Sequence, residues 1–533
     1  PLFQRCHGRR FARCRGHLMG LGPMVQGVAM QLLKWSVIAI ALITLFAFLG
    51  MVPLFDVDEG AFSEATREMF HRRDFLTPWL NDQLRFDKPV LIYWFQGISS
   101  VMFGFNAFAM RLPSAIASIL WCLLIYRFSK RYVEPAVGLI AVLVLVSALQ
   151  MQLVTRAAIA DALLNLFLTL SMFSFFGYDQ DKHPKHLLWA YTAAGLGMLT
   201  KGPVAVVIPL AVMTTYLLIQ RRLDTLVNTV FFFRGWLIFA LINLPWYLTM
   251  FWLHGMTFVN GFFIKHNIQR FQTPFEGHSG SLWYYLPVLL VGLMPFTPLL
   301  LKAVFKVIKT PPKSDLNRFL WIWALFVLLF FSFSGTKLPH YVVYGYTPLL
   351  VLMAKEHKHL HQGWYIGPVS GFFLILALLP LAVSAVLPLI GDDFATEVIT
   401  SAKPLFGLSF MSLLLALAVF LIFLWQQNRD VVLISTAAAM VIAMQVAILP
   451  PVAKVMQSPI KDTALYCREK QIRPILWNVR TPSFLFYYQD TLEARYPQPG
   501  DYVFTKQRYL SRLADAELLK QAHGYALARI KSL

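Results

Sequence analysis

The chain has 533 residues, of which 57% are hydrophobic and only 14% are charged. A soluble globular domain carries about 25% charged residues, so this composition excludes that class and favours an integral membrane protein. The formal net charge is +20. In a soluble protein this charge would suggest nucleic-acid binding, but in a membrane protein Lys and Arg gather in short loops and set the topology. We therefore expect no nucleic-acid partner, and we expect contacts with the lipid bilayer and with phosphorylated substrates.

Apolar runs long enough to cross a hydrocarbon core of about 30 Å as helices recur along most of the chain. Unpaired backbone groups are not tolerated in lipid, and the alternating segments of about 10 residues that a transmembrane barrel needs are absent. The sequence therefore predicts an α-helical polytopic membrane protein with about 13 spans. We place these spans near residues 35–53, 112–129, 135–153, 161–178, 187–200, 203–220, 232–252, 283–303, 317–334, 341–354, 364–388, 404–425 and 431–450.

The distribution of basic residues orients the predicted spans. Several arginines and Lys34 precede the first span, and alternate loops carry further basic residues on the same side. These loops contain Lys130 and Arg131, Lys182 and Lys185, Arg221 and Arg222, Lys302 to Arg318, Lys355 and Lys358, and Arg429. The positive-inside rule makes this side cytoplasmic, and an odd number of spans places the C-terminal segment outside.

Composition divides the chain into three parts. Residues 1–30 are rich in arginine and end at Met30, so we interpret them as an extension that is either non-native or cytoplasmic. Residues 31–450 are expected to form a transmembrane domain with a first outer loop at 54–111 and a second at 253–282. Residues 451–533 have mixed polarity and are predicted to form a small outer α/β domain.

The pattern within the last part is that of short strands followed by a helix. Residues 474–479 and 502–504 are rich in β-branched and aromatic residues, which is typical of strands. Residues 506–521 have a composition that favours a helix.

Three carboxylates, Asp56, Asp58 and Glu59, stand at the outer end of the first predicted span. Clustered carboxylates raise one another's pKa, so one of them is a candidate base or cation ligand. The alternative is a solvated loop in which Asp58 caps the following helix. Both interpretations remain open from the residues alone.

Other charged residues lie at the outer ends of predicted spans. A charge at a span end is costly unless it has a partner, so each marks a candidate site. These residues are Asp161, Lys201, Arg270 and Lys337, and a further cation, Lys88, lies at headgroup depth in the first outer loop. Each one singly is compatible with snorkelling or capping, but together they place acids and cations on one face of the membrane, where Lys88 suits a phosphate.

Asp87 and His266 are a candidate metal pair. A carboxylate and an imidazole suit zinc, but two ligands are too few for a site of their own. The sequence therefore predicts no required cofactor, with a divalent cation such as zinc as the alternative.

The first outer loop also carries a series of motifs: Asp58-Glu59-Gly60, Arg67-Glu68-Met69, Asp74-Phe75-Leu76-Thr77-Pro78, Asn81, Asp87-Lys88-Pro89 and Tyr93-Trp94. Further motifs follow at Arg111-Leu112-Pro113-Ser114, Leu199-Thr200-Lys201-Gly202, His266-Asn267-Ile268-Gln269-Arg270-Phe271 and Lys337-Leu338-Pro339-His340-Tyr341. In these motifs and their order the chain resembles the bacterial aminoarabinose (4-amino-4-deoxy-L-arabinose) lipid A transferases. That family belongs to the protein O-mannosyltransferase-related GT-C glycosyltransferases, and the resemblance covers roughly residues 31–355.

The resemblance implies a GT-C fold with 13 spans, first-loop helices lying along the membrane and a periplasmic α/β domain. It implies a polyprenyl-phosphate sugar as donor, no nucleotide, and lipid A or another envelope molecule as acceptor. It also implies residence in the bacterial inner membrane, with the active site facing the periplasm.

The resemblance assigns roles to individual residues as well. Asp58 matches an essential first-loop acid, and Asp161 matches a second acid at the start of the fourth span. Lys88, Arg270 and Tyr341 match groups that hold the carrier phosphate, and Lys201 matches a basic position near the donor. Asp87 and His266 match a metal pair that usually combines Glu with His, so the shorter Asp side chain is a departure. Glu59, beside Asp58, and Lys337, in the last motif, complete the candidate set for catalysis and donor binding respectively.

These residues predict an inverting glycosyltransferase in which an acceptor oxygen displaces a sugar from its lipid phosphate. One alternative within the superfamily is a protein or another glycan as acceptor. A less favoured alternative is a transporter of lipid-linked sugars, because transporters place their charges near the bilayer midplane, whereas here the charges lie at span ends on one side.

Overall fold

The computed structural model describes residues 27–274, 277–387, 393–510, 512–513 and 515–531. The predicted extension at residues 1–30 therefore lies almost wholly outside the described residues. Within the described ranges, seven helices are long and apolar enough to cross a membrane. The count is eight if the bent pair Thr396–Phe406 and Leu408–Phe423 forms one span. The protein is a multi-pass α-helical membrane protein, and the predicted number of 13 spans is not confirmed.

The first predicted span is a helix, and the first outer loop contains two helices and a short hairpin. In chain order the elements are α1 (Gly27–Phe46), α2 (Asp58–Arg72), β1 (Trp79–Leu80), β2 (Gln83–Leu84) and α3 (Leu91–Phe103). The two short strands form an antiparallel hairpin in which Trp79 pairs with Leu84. Every residue of α2 from Glu59 to Met69 is buried, so this helix is part of the packed structure and not a solvated loop.

The central bundle follows, with α7 at its middle. Its helices are α4 (Ala107–Tyr132), α5 (Pro135–Ser147), α6 (Leu149–Val154), α7 (Asp161–Asp181), α8 (Pro184–Lys201) and α9 (Val204–Ile219). The Asn106 side chain caps α4 by accepting a hydrogen bond from the Ala109 backbone N–H. Proline at the start of α5 and α8 costs no hydrogen bond, because the first backbone N–H groups of a helix have no partner within it.

The first two thirds of the second outer loop, residues 253–272, are helical. The elements are α10 (Leu223–Val230), α11 (Phe233–Val259), a π-helix at Asn260–Gln269 and the short α12 (Arg270–Gln272). Gly255 has φ of 54° and ψ of −136°, which bends α11 near its outer end. Glycine tolerates this left-handed φ because it lacks a Cβ atom.

Predicted spans between residues 283 and 456 are interrupted in several places. The elements are α13 (Tyr285–Gly292), α14 (Thr297–Lys309), α15 (Asp315–Ser332), a 3-10 helix (Pro339–Gly345), α16 (Tyr346–Lys355), a 3-10 turn (His357–His359), α17 (Gly363–Val386), α18 (Asp393–Ala402), a 3-10 turn (Lys403–Phe406), α19 (Leu408–Phe423), α20 (Arg429–Ile442), a π-helix (Ala443–Ile448) and α21 (Leu449–Met456). The single span predicted at 283–303 is thus two helices, and that at 341–354 begins in a 3-10 helix that ends at Gly345. Hydropathy reports apolar runs and does not report these breaks, so it cannot show how many helices make up each run.

The last part of the chain combines helices with a four-stranded sheet. Its elements are α22 (Ser458–Glu469), β3 (Ile475–Leu476), α23 (Pro482–Tyr488), β4 (Tyr502–Lys506), α24 (Gln507–Leu510), β5 (Ala516–Ala522) and β6 (Tyr525–Ile530). The strand order is β3-β4-β6-β5, with β3 parallel to β4 and the other pairs antiparallel. The helix predicted over 506–521 is wrong, because that stretch holds one helical turn and most of a strand. The division into three parts at residues 30 and 450 stays a prediction.

The first outer loop and the C-terminal part are joined by direct hydrogen bonds. The Asn81 side chain donates to the Leu492 carbonyl at 2.8 Å and accepts from the Leu492 N–H at 2.9 Å. Arg67 donates to the Gln489 carbonyl, and the Tyr487 hydroxyl accepts from the Leu54 N–H. The contacts hold α2, where the candidate acids lie, against α23.

Candidate active site

A cavity of about 430 Å³ lies where α8, the second outer loop and the segment around the 3-10 helix Pro339–Gly345 meet. Three cations, Lys88, Lys201 and Arg270, line it together with two tyrosine side chains, Tyr341 and Tyr344. The remaining wall is largely apolar and includes Val204, Val207, Phe263, Ile268, Phe271, Phe330 and Phe331. The cavity therefore combines three positively charged side chains with a largely apolar wall.

Each cation reaches the cavity from a different element. Lys88 follows the β1–β2 hairpin, Lys201 is the last residue of α8, and Arg270 begins α12 after the π-helix. Tyr341 and Tyr344 lie on the 3-10 helix, where residues three apart lie on one face because the helix has three residues per turn. Their ring centroids are 6.5 Å apart and the rings are stacked. Residues separated by more than 250 positions thus line one cavity.

Asp87 lies between two cations and an imidazole beside the cavity. Its carboxylate contacts Arg85 at 3.3 Å and the His266 Nε2 atom at 2.8 Å. Burial alone would raise the pKa of Asp87, but Arg85, His266 and Lys88 hold it well below its ordinary value. Asp87 is therefore an anion that fixes the positions of its basic neighbours.

Lys88 is the cation with the most strongly altered proton affinity at this site. Its ammonium group donates to the Asp87 carbonyl at 2.9 Å. Burial, followed by repulsion from Arg270 and Lys201, lowers the pKa of Lys88 to about 7. A buried cluster of like charges is costly without an anion, so the cavity favours an anionic ligand.

Asp161 is hydrogen-bonded to two side chains that line the cavity. One of its oxygens accepts from Lys201 at 2.7 Å and from the Tyr344 hydroxyl at 2.7 Å. The Lys201 ammonium also lies over the rings of Tyr341 and Tyr344, at 5.8 and 5.3 Å from their centroids. Asp161 is buried at 3% exposure, and the contacts described for it orient Lys201.

His340 interacts electrostatically with both acidic and basic residues of the site. It lies within electrostatic reach of Asp161, Lys201, Asp58 and Arg270, and burial lowers the pKa of His340 to about 4. Its neighbour Tyr341 accepts a hydrogen bond from Arg270 and interacts electrostatically with Asp161 and Asp58. The exposed carboxylate of Asp58 therefore faces the same group of residues as Arg270.

The three first-loop carboxylates have different partners, although Glu59 contributes to raising the pKa of Asp56. Asp56 accepts hydrogen bonds from the Ser483 backbone and hydroxyl, at 2.8 and 2.5 Å. Glu59 is buried and bonds to Arg111 at 2.6 Å and to the Ala158 N–H at 2.7 Å. Glu59 thus has a structural setting in place of the predicted catalytic one, because its oxygens are occupied by packing partners, and only Asp58 remains exposed.

Lys337 also differs from its predicted position. Its ammonium donates to the Ser334 carbonyl at 2.6 Å, and its side chain is buried. It does not line the cavity, whereas Ser334 does. The predicted donor-binding role for Lys337 thus lacks a direct contact with the cavity.

The predicted metal pair does not have the ligand set of a zinc site. Asp87 and His266 are adjacent, but no group of three or more His, Cys, Asp and Glu side chains occurs within the described ranges. Structural zinc takes four protein ligands and catalytic zinc takes three. Arg85 and Lys88 also lie against Asp87, where a divalent cation would be repelled.

Sequence reasoning missed several residues around the cavity. Arg85 lies between the Tyr93 hydroxyl and Asp87, and Tyr344 holds Asp161. His340 belongs to the motif Lys337-Leu338-Pro339-His340-Tyr341, but no site role was predicted for it. The spacing of Tyr341 and Tyr344 was an available signal, since three residues is one 3-10 turn.

Comparisons with known proteins agree with this fold. Residues 87–248 match the sequence profile of the family described as dolichyl-phosphate-mannose-protein mannosyltransferase. The chain has a TM-score of 0.76 with the crystal structure of ArnT from Cupriavidus metallidurans bound to undecaprenyl phosphate. That alignment has 20% identity and covers 92% of this chain and 97% of the other.

Two sequence relatives extend the comparison. An uncharacterised protein from Aquifex aeolicus is 31% identical over 354 residues, which are 65% of this chain and 79% of the relative. An undecaprenyl phosphate-alpha-4-amino-4-deoxy-L-arabinose arabinosyl transferase from Yersinia pestis is 33% identical over 335 residues, which are 61% of this chain and 60% of the relative. The match thus spans about three fifths of the Yersinia protein. The chain belongs to the aminoarabinose-transferase-like family of the protein O-mannosyltransferase-related GT-C glycosyltransferases.

Proposed function

We propose that this protein transfers a sugar, 4-amino-4-deoxy-L-arabinose, from a polyprenyl-phosphate carrier to lipid A. The reaction takes place on the periplasmic side of the bacterial inner membrane. The observation that supports this most directly is the cavity, in which Lys88, Lys201 and Arg270 meet an apolar wall. The Yersinia relative is named for a donor of this chemistry.

The cavity suits the two parts of such a donor. A phosphodiester carries a negative charge that the three partly buried cations would stabilise through charge-assisted hydrogen bonds. A polyprenyl chain is apolar and would pack against Phe263, Phe271 and Phe330. A free nucleotide sugar would bring a polar nucleotide to this wall, so the lining favours a lipid carrier.

The reaction is a single displacement at the anomeric carbon. An acceptor oxygen forms a new bond to that carbon, the bond between the carbon and the phosphate oxygen breaks, and the phosphate leaves with the electron pair. Lys88 and Arg270 stabilise the additional negative charge on the leaving phosphate. Lys201 binds the same phosphate. The configuration at the carbon inverts because the acceptor attacks from the opposite side.

Asp58 is the acid that we place on the acceptor side. It is exposed, and its neighbours Arg85 and His340 lie at the rim of the cation cluster. Asp58 removes the proton from an acceptor hydroxyl, or orients an acceptor whose phosphate oxygen is already nucleophilic. Asp161 acts through Lys201, and we assign it to positioning.

Reconstitution with defined lipids tests the proposal. Purified protein is incubated with polyprenyl-phosphate aminoarabinose and lipid A, and the products are identified by mass spectrometry. We expect aminoarabinose-modified lipid A and free polyprenyl phosphate in equal amounts. Labelled sugar on a protein or on another glycan would move the acceptor assignment within the superfamily. Donor that crosses the bilayer without being cleaved would instead support a transporter.

A further inference from the structure

A second large cavity lies along α15, nearer the start of that helix than the candidate active site is. It is a groove of about 550 Å³ lined by aliphatic side chains of α13, α14, α15 and α16, with Trp321 as its aromatic member. Several lining residues are exposed at the protein surface, including Leu301 at 41% exposure and Leu325 at 49% exposure. A groove of this kind in a membrane protein faces the acyl chains of the bilayer.

The groove and the candidate active site are separate. Phe330 and Phe331, near the end of α15, line the active-site cavity, whereas Trp321, Leu325 and Leu328 line the groove. The two cavities share no lining residue. α15 has 18 residues and is about 27 Å long, so the start of α15 and the active-site residues near its end lie at opposite ends of the helix.

The end of the groove near the start of α15 is basic. A smaller pocket of about 70 Å³ adjoins it there, and Val307 and Trp321 belong to both. Lys306 and Lys355 line this pocket together with the polar side chains of Thr310 and Asn317.

The two lysines have incomplete charge compensation. Lys306 bonds to the buried carboxylate of Glu356 at 2.5 Å, while Lys355 donates to the neutral Asn317 side chain at 2.5 Å. Two cations with one acid leave a net positive charge where the apolar groove ends. The half-exposed Lys306 ammonium can contact a second anion there.

We propose that this groove binds an anionic phospholipid, with one acyl chain along α14 and α15 and the phosphate at Lys306 and Lys355. The charge of the basic end selects the occupant, because a lipid with a net negative headgroup gains attraction that a zwitterionic lipid lacks. The length agrees as well: α14 has 13 residues and is about 20 Å long, comparable with one leaflet of a bilayer whose core is about 30 Å thick.

Native mass spectrometry of the detergent-purified full chain tests the proposal. The protein is mixed with equal amounts of phosphatidylglycerol and phosphatidylethanolamine, and retained lipid is counted. We expect preferential retention of one phosphatidylglycerol. Lys306→Gln and Lys355→Gln should each reduce its retention roughly five-fold, in keeping with the attraction of one basic residue for an anionic surface. Lys309→Gln, on the same helix but outside both pockets, should leave retention unchanged.

A second variant pair tests the groove without altering its charge. Leu325→Trp fills the groove from an exposed position, and Leu329→Trp adds the same bulk at an exposed position of α15 outside the groove. We expect loss of phosphatidylglycerol with Leu325→Trp only. Equal retention of the two phospholipids, or unchanged retention in Leu325→Trp, would overturn the proposal. Displacement of the lipid by polyprenyl phosphate would also overturn it, since the groove would then belong to the donor. Sugar transfer measured in parallel distinguishes a failure here from a failure of the proposed function.

Discussion

Lys88 has a pKa near neutral pH, so its charge changes with small changes of pH. Burial, with Arg270 and Lys201 nearby, lowers that pKa to about 7, while Asp87 acts in the opposite direction. The protonated form of Lys88 is the one that attracts a phosphodiester. Donor binding should therefore be strongest below pH 7 and weaken as the pH rises through 7.

Replacing Lys88 by arginine tests this pH dependence. The guanidinium stays protonated at all practical pH values, so Lys88→Arg should retain donor use at high pH. We expect kcat/KM for the donor to fall about tenfold per pH unit above 7 in the unmodified protein and to stay level in the variant. Lys265→Arg, at an exposed position of the second outer loop, serves as the control and should keep the decline. The same decline in Lys88→Arg would show that another group titrates.

Asp58 is the residue that we propose acts as the base for the acceptor hydroxyl. Asp58→Asn preserves shape and removes the negative charge, so transfer to an acceptor hydroxyl should fall roughly 10²- to 10⁴-fold. Initial rates with saturating donor measure this effect. Asp82→Asn provides a matched control, since Asp82 is an exposed acid of the same loop that pairs with Arg72. Full activity of Asp58→Asn would exclude it as a base.

At the scale of elements, α2 is fixed at its start by a buried ion pair. Burial alone would raise the pKa of Glu59, but Arg111 and hydrogen bonds from Phe55 and Ala158 hold it below its ordinary value. Removing one partner of such a pair leaves a charge buried without compensation and costs about 3–5 kcal/mol. We expect Arg111→Ala to lower the melting temperature strongly.

The double variant separates the ion pair from simple packing. In Glu59→Gln combined with Arg111→Met no uncompensated charge remains, so part of the lost stability should return. Thermal unfolding of the single and double variants in one detergent gives the comparison. A double variant as unstable as the sum of the single changes would contradict an ion-pair origin.

The contact between Asp56 and Ser483 makes the joint between the first loop and α23 sensitive to pH. Burial, opposed by hydrogen bonds from Ser483, raises the pKa of Asp56 from 3.8 to about 7. The folded state then binds a proton more tightly than the unfolded state between these values. Stability from this contact should accordingly decrease as the pH rises from about 4 to about 7 and level off above 7.

An isosteric change removes the titration. Asn at position 56 can accept from the Ser483 N–H and donate to its hydroxyl at every pH, so Asp56→Asn should be insensitive over this range. Hydrogen exchange of the backbone around α23, measured at several pH values, reports the strength of the joint. Identical pH dependence in the two proteins would assign the effect to another group.

The elements also show where sequence patterns reach their limit. Residues 516–522 are rich in Ala, Leu, Lys, Glu and Gln, which favour a helix, yet they form β5. His523 and Gly524 both have positive φ values and make a two-residue turn that pairs β5 with β6. Pairing with a neighbouring strand overrides the local helical preference, and His-Gly before an apolar stretch was the available signal.

At the scale of the whole molecule, the sequence could identify several residues of the cavity, but it could not predict their contacts with one another. Charges at span ends, with the family motifs, identified Lys88, Lys201, Arg270 and Asp161. Their mutual contacts depend on how α8, α12 and the 3-10 helix pack, which no local pattern contains. For the same reason Glu59 was grouped with Asp58, although consecutive residues on a helix point about 100° apart and reach different partners.

Sidedness is the property of the whole molecule that labelling can test. Asp490 is exposed in the C-terminal part, and Lys182 lies half exposed in a basic loop on the predicted cytoplasmic side. Single cysteines at these positions, in a background without other cysteines, should differ in intact cells. We expect a membrane-impermeant maleimide in the periplasm to label position 490 and not position 182 until the cells are opened. The reverse pattern would place the cavity in the cytoplasm.

The hydrogen bonds between Asn81 and Leu492 join parts of the chain that are synthesised far apart in time. Until residues 483–492 leave the ribosome, the backbone of Leu54 and the side chains of Asp56 and Asn81 lack the partners they have in the finished fold. A nascent protein that has inserted all its apolar helices therefore still lacks the hydrogen bonds that hold its first loop. Competence for transfer should appear only after residues 483–492 have been synthesised, and a premature stop in this stretch should yield an inserted but inactive product.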